Sequence, residues 1–354
     1  MTSTSDLEHW RLNAKVYDDR VEEIHYITDP ARNIRRRPHT KVWKVEQILG
    51  RGGFGEVRLE KNTEDGKARA VKKIVTAIPN LSSNECEKEL TALLEFSKPK
   101  SREAAAFVDF FGWFKDGPYL FLAMEYVPLG DLEQNVKAHS GRIPEIEARD
   151  ITEQILSGLK IMHAESFAHR DLKPQNVLVV HGSPEWWVKL ADFGLSKRLT
   201  ETTAYRTKSG TLSYMAPEIL EYLDTPRGEY TNAVDLWAVG CITYRLVTGV
   251  VPFPPGKSLV KYCEDKSLFP YDALLDNGIK SLCSRFIKEL LETSLKQRPS
   301  ASQALHHAWI ISGPNARESS ERLLYQPVET CRLPDFSAST MAYNASTHDG
   351  LKSH

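Results

Sequence analysis

Cysteine is scarce and unpaired in this sequence. The 354 residues contain five (Cys86, Cys241, Cys263, Cys283 and Cys331), an odd number, widely spread and with no CxxC pair. A disulfide framework or a zinc ribbon is therefore excluded as the organising device, and reduced thiols in the cytosol or nucleus fit better. No sign of charge dominates. Lys plus Arg is 46, Asp plus Glu is 47 and the net charge is −1, so there is no general pull toward nucleic acid or an anionic membrane. Long apolar runs are missing too: the run Tyr119 to Met124 stops at Glu125, far short of a bilayer span. Met1 to Trp10 lacks the apolar centre of a secretory signal, and no repeat appears at solenoid periods. These absences predict a cytoplasmic protein, with a nuclear location also open, and no nucleic-acid or membrane partner. Asn344-Ala345-Ser346 matches a glycosylation acceptor by chance.

Apolar residues are 41% of the chain and charged residues 26%, which excludes disorder throughout, a collagen-like rod and a coiled coil. The length suggests about two domains. Residues 1–41 form a polar leader ending near Arg35-Arg36-Arg37 and are expected to be loosely ordered. Residues 311–354 form a polar tail of the same kind. Between them the pattern changes once. Residues 42–127 are strand-rich: Val45 to Leu49 and Val57 to Lys61 flank a glycine cluster, with further strand-length runs at Ala68 to Val75 and Tyr119 to Val127. One helix interrupts them, opened by the capping box Ser82-x-x-Glu85 and carrying Leu90, Leu93 and Leu94. Residues 131–310 read as helical. Ile151, Ile155, Leu159 and Met162 follow Pro144 at helical spacing, and Asn232 to Val247 is apolar around most of its circumference, as in a central core helix. The class is α+β, a small β-rich lobe joined to a larger α-helical lobe, and such inter-lobe clefts favour ligand sites.

Three strings carry chemistry. Gly50-Arg51-Gly52-Gly53-Phe54-Gly55-Glu56-Val57 lies between two strands, where glycines let backbone N–H groups approach a polyphosphate. A glycine-rich hairpin turn is the plain alternative, and a dinucleotide fold is disfavoured because a strand follows. Ala70-Val71-Lys72 sits in the next strand. Lys72 gains meaning beside a helix acid, for which Glu89 is preferred over Glu85 and Glu87 because it adjoins the leucine stripe. The strongest string is His169-Arg170-Asp171-Leu172-Lys173-Pro174-Gln175-Asn176, followed sixteen residues beyond Asn176 by Asp192-Phe193-Gly194 and then by Ala216-Pro217-Glu218. In this order the segments resemble those of the eukaryotic protein kinases. The likeness runs from Val42 to Ile310, taking in Asp235-Leu236-Trp237 and Arg298.

The resemblance implies a bilobal protein-kinase-like fold and transfer of the γ-phosphoryl of Mg-ATP to a protein hydroxyl. It assigns Asp171 to the substrate proton, Lys173 to charge on the transferred group, and Lys72 with Glu89 to the α- and β-phosphates. Asn176 and Asp192 become ligands of Mg²⁺, for which hard oxygen donors are suited. The nucleotide would lie under Gly50, Arg51, Gly52, Gly53, Phe54, Gly55 and Val57. Ala70 and Leu178 complete the sandwich around the ring, Met124 stands as gatekeeper, Glu125 and Val127 offer hinge groups, and Asp131 reaches the ribose. Lys173 with Pro174, and Thr211, resemble the serine/threonine branch, with dual specificity left open.

The same likeness places an activating phosphosite at Thr207, eleven residues before Glu218, to pair with Arg170 and Lys197. An upstream activating kinase is then an expected partner beside the Ser/Thr protein substrate. A solvated hydroxyl-rich loop is the bland reading of that stretch. Positions where the cyclic-AMP-dependent kinase carries arginine-binding glutamates hold Gln175 and Arg245 here, leaving only Asp131 acidic, so weak selection for arginine near the target is expected. Glu218 and Arg298 are expected to form a buried ion pair, and Asp235 to tie down the catalytic-loop backbone. A pseudokinase scaffold is disfavoured because Lys72, Asp171 and Asp192 are all present, and a small-metabolite kinase by the segment around Thr207.

Overall fold

The alternating strands of the first lobe close on themselves. In the computed structural model the described residues are 4–29, 34–52, 55–76, 90, 93–98, 104–192, 212–223 and 231–312. After a short helix α1 (Thr4–His9), strands β1 (Ala14–Val16), β2 (Arg20–Asp29), β3 (Ile34–Gly52), β4 (Gly55–Asn62), β5 (Ala68–Val75), β6 (Phe110–Asp116) and β7 (Tyr119–Glu125) form one antiparallel sheet in the order β1-β2-β3-β4-β5-β7-β6. The leader bridges its two ends. Leu12 donates its N–H to the Trp113 carbonyl on β6 at 2.8 Å, and Trp113 donates back to the Trp10 carbonyl at 3.1 Å. The result is a barrel, which removes exposed strand edges where it closes.

The polar leader is thus structural, and the expectation of loose order is corrected for residues 4–29. Its side chains help line the barrel. Val21, Val71, Phe114, Phe121 and Ala123 are buried inside, with Leu12, Val16 and Trp43 packed against them. Phe114 and Phe121 stack with centroids 4.8 Å apart. Charged groups fill the rest of this interior. Arg69 places its Nε 2.9 Å from Glu60 Oε2 and pairs with Glu23 of the leader, its guanidinium 3.9 Å above the Trp43 ring. Arg58 lies 2.7 Å from the other Glu60 oxygen.

Because side chains alternate along a strand, β5 turns Arg69 and Val71 into the barrel and Ala70, Lys72 and Ile74 to the opposite side. That opposite side meets the second core. Ile74, Leu120 and Leu122 join Leu90, Leu93 and Leu94, the helical leucine stripe, all buried. The start of that helix, including Ser82, Glu85 and Glu87, lies outside the described residues.

The larger lobe is helical, comprising α2 (Leu132–Ala138), α3 (Glu145–Ala164), α4 (Ala233–Thr248), α5 (Ser258–Glu264), α6 (Tyr271–Asp276), α7 (Ser281–Leu290), α8 (Ala301–Leu305) and α9 (Ala308–Ile311), with a hairpin of β8 (Val177–His181) and β9 (Trp187–Leu190) facing the cleft. α3 begins directly after Pro144 and buries the predicted row Ile151, Ile155, Leu159 and Met162. Every residue of α4 from Val234 to Thr248 is buried, as its all-round apolar sequence requires. The polar tail beyond residue 312 lies outside the described residues.

Candidate active site

Lys72 reaches from β5 across the cleft to a carboxylate. Its ammonium donates to Asp192, which follows β9, although the two are 120 residues apart in sequence. Burial pushes the Asp192 carboxyl up, but Lys72, with His169 and Lys173 behind it, overrides this and holds it below the ordinary carboxylate range. The Asp192 side chain is nevertheless 43% exposed, so the charge stays open to the cleft. One step along the chain, Ala191 donates its N–H to the Asn176 carbonyl at 2.9 Å and accepts a 3.1 Å contact from the His169 ring.

Asn176 ends a 3₁₀ turn, Pro174–Asn176, whose shape turns its amide back on the loop. Its Nδ2 donates to the Asp171 carbonyl at 2.7 Å and to Asp171 Oδ2 at 3.2 Å, while Lys173 Nζ donates to the same Oδ2 at 2.8 Å. Lys72 and Asp192 form one contact pair, Asn176, Asp171 and Lys173 a second cluster, and the backbone bond from Ala191, next to Asp192, to Asn176 ties the two together. The geometry costs backbone strain: Arg170 and Asp192 hold φ of +64° and +61°, which non-glycine residues adopt at about 1–3 kcal/mol. The buried Asp235 on α4 opposes that strain at Arg170. Its Oδ1 accepts the Arg170 N–H and its Oδ2 the His169 N–H, each at 2.8 Å. His163 on α3 meets the same Oδ2 at 2.9 Å.

The glycine cluster forms the β3–β4 hairpin, with Gly50 opposite Val57, Arg51 opposite Glu56 and Gly52 opposite Gly55. Gly55 has a packing reason to be glycine, since a Cβ there would stand 1.8 Å from the Lys73 carbonyl oxygen at φ +151°. Gly53 and Phe54, at the turn, lie outside the described residues. Ala70 pairs with Met124 across β5 and β7, and Met124 pairs with Phe110 on its other side. Leu178 bridges to Asp131, which brings the floor of the cleft to the connection between the lobes.

The connecting segment is anchored from below. Both Glu125 carboxylate oxygens receive Lys189 Nζ of β9, at 2.9 and 2.7 Å, and Oε2 also accepts the Asp109 N–H at 3.0 Å. Asp131 caps α2: Oδ1 accepts the Gln134 N–H at 2.9 Å and Oδ2 the Gln134 side-chain amide at 2.8 Å. Burial raises its carboxyl above the ordinary range. Asp131, for which a ribose contact is expected, caps α2 in the structure. Lys189 and His163 escaped the sequence reading, and no local pattern marks either.

Arg245 is tied to Glu133 at 3.2 Å and to the Gly141 carbonyl at 2.6 Å, clamping α4 to α2. Arg298 meets both Glu218 oxygens, at 2.7 and 3.1 Å, with side chains 0% and 2% exposed. Glu89, Lys197 and Thr207, with Phe193 and Gly194, lie outside the described residues.

The model of the protein kinase domain family matches residues 43–310. The chain is similar to serine/threonine-protein kinase RAD53 of Saccharomyces cerevisiae, 32% identical over 284 residues that cover 78% of this chain and 34% of that protein. It is similar to serine/threonine-protein kinase cds1 of Schizosaccharomyces pombe, 33% identical over 276 residues, 76% of this chain and 58% of that protein. The chain thus spans between a third and three fifths of these relatives. A crystal structure described as the Rad53 kinase domain and SCD2 in complex with AMPPNP superposes with a TM-score of 0.56 at 30% identity, covering 75% of this chain and 89% of that one. With the ordered motifs, the bilobal fold and the family match in agreement, the chain belongs to the eukaryotic protein kinase family.

Proposed function

We propose that this chain is an ATP-dependent serine/threonine protein kinase. The observation that carries the reading is the pair Lys72–Asp192 tied, through the Ala191 backbone, to the cluster Asn176–Asp171–Lys173. Phosphoryl transfer needs positioning and charge neutralisation more than covalent chemistry. Asp171, held by Asn176 and Lys173, accepts the proton of the incoming hydroxyl. Lys173 then faces the charge that builds on the transferred group, and Lys72 holds the α- and β-phosphates, exchanging Asp192 for them.

The Asp192 carboxylate and the Asn176 carbonyl oxygen, whose amide nitrogen is already committed to Asp171, suit a hard divalent cation. Bound there, Mg²⁺ would neutralise phosphate charge. The names of the relatives and the Lys173-Pro174 pair support a serine or threonine acceptor. Arg245 and Asp131 are both engaged within the protein, which supports weak selection for arginine near the target.

Arg170 is exposed, and no ion pair of its side chain is found among the described residues. Activation by phosphorylation of Thr207, the anion pairing with Arg170 and Lys197, follows as the proposed control, with an upstream kinase as its source. Full activity of unphosphorylated Thr207→Ala would overturn that part.

The central test is transfer from γ-labelled ATP, wild type beside Asp171→Asn, with phosphosite mapping of the product. Loss of a positioned base predicts a fall of about 10²–10⁴ in rate with unchanged folding. Equal transfer by both proteins would refute the assignment.

A further inference from the structure

The leader does more than close the barrel, because it does so opposite the residue that faces the adenine site. β6 carries a bulge: Phe110 pairs with Met124, but the next pair is Gly112 with Ala123, so Phe111 is extra. Gly112, at φ +135°, makes room for the leader. A Cβ there would lie 2.7 Å from the Trp10 carbonyl oxygen and 2.8 Å from the Leu12 side chain. Trp10 stacks on Phe110 with ring centroids 5.8 Å apart, and Trp113 donates its indole N–H to the Leu7 carbonyl at 2.8 Å. Leu7 and Trp10 also pack against the core that holds Ile74, Leu90, Leu93 and Leu94, on the Lys72 side of the sheet. The strap therefore touches the bulge, the partner strand of the gatekeeper and the core behind the phosphate-facing lysine. Pairing with β6 closes the barrel, while the ring stacking on Phe110 and the packing into the core go beyond closure.

We propose that residues 7–12 are a positioning strap for the nucleotide site, in which Trp10, seated on Phe110, fixes the bulge of β6 and through it the placement of Met124 and the segment Glu125–Val127. The inference rests on the nucleotide-binding reading above for its consequence, and on the bulge alone for its geometry. Trp10 is a positioning residue, since it acts through Phe110.

The test compares full-length wild type, Trp10→Ala and Trp10→Phe by two readouts. Calorimetric titration with AMPPNP and Mg²⁺ gives nucleotide affinity, and hydrogen exchange gives the opening of amides 122–127 relative to those of α4. Trp10→Ala should bind about tenfold more weakly, with a raised KM for ATP and kcat within about twofold at saturation. Its amides at 122–127 should exchange about tenfold faster while α4 is unchanged. Trp10→Phe, which keeps a ring on Phe110, should recover most of both. Unchanged exchange at 122–127 in Trp10→Ala, or equal acceleration of exchange throughout the chain, overturns the strap. A wild type that binds no AMPPNP overturns the kinase reading instead, and the exchange comparison still decides the strap. Should Trp10→Ala not fold, Trp10→Leu, which keeps apolar volume but removes the ring stacked on Phe110, takes its place with the same readouts and the same expected direction.

Discussion

One strand shows two ways of placing a cation beside a carboxylate. Three residues apart on β5, Arg69 and Lys72 point to opposite sides of the same sheet. Arg69 is sealed in the barrel, its side chain 2% exposed, between Glu60 and Glu23 at 0% and 5%. Lys72 and Asp192 meet at the mouth of the cleft, 15% and 43% exposed. The sealed group has nothing to exchange with, so its charge can only serve the fold. The open pair is held by a contact that an incoming anion can replace, so under the proposed function its charge serves chemistry. Burial, rather than residue type, separates the structural ion pair from the functional one.

The comparison breaks first at Arg69. Arg69→Ala leaves Glu23 with only the His25 contact and Glu60 with only Arg58, an uneven charge balance inside the barrel that should cost about 3–5 kcal/mol of stability. Chemical denaturation would register this, and a loss below about 1 kcal/mol would remove the distinction.

The pH dependence of the same cluster comes next. Burial pushes the Glu23 carboxyl up, but Arg69 and the His25 contact hold it down at about 2. Because the folded value lies below the ordinary 4.5, Glu23 contributes stability in full above about pH 5 and loses it as the pH falls toward 2. Linkage sets this at about 3 kcal/mol. Acid unfolding of Glu23→Gln should be correspondingly flatter over that range than that of wild type, and coincident curves would contradict it.

The smallest stability effect belongs to the open side. Lys72→Met should change folding free energy by no more than about 1 kcal/mol, as expected of solvent-screened pairs, yet lower phosphoryl transfer at least about 100-fold. Marked destabilisation with activity retained would reverse the two roles.

The sequence reading reached the open site more fully than the sealed one. His169 to Asn176, Asp192 and Lys72 stand in an order that only a shared cleft explains, and contacts bring them together. The buried Glu218–Arg298 pair and the grip of Asp235 on the loop backbone follow from the same resemblance. The leader was illegible for a physical reason. A buried strand face is ordinarily recognised by alternating apolar residues, and in the leader the inward position Glu23 is charged, its partner Arg69 and the adjoining Glu60 and Arg58 lying on strands far off in sequence. Their charges cancel inside the barrel, so the pattern that marks an interior looked like a surface. β6 was missed for a related reason, since the bulge at Gly112 breaks its alternation. Asp131 is legible in half: the resemblance implies a ribose contact, while the helix cap it makes with Gln134 goes unread.

The joining of Trp10 and Leu12 to Trp113 bears on how this chain can be trimmed. A version beginning at residue 43, where the family match begins, would strip β6 of its neighbour and leave main-chain donors and acceptors along Trp113 facing water. It would also deprive Arg69 of Glu23 and open the charged lining of the cylinder. Such a fragment would keep every catalytic motif and still present a bare ladder to other copies of itself, a recipe for precipitation rather than for a minimal kinase.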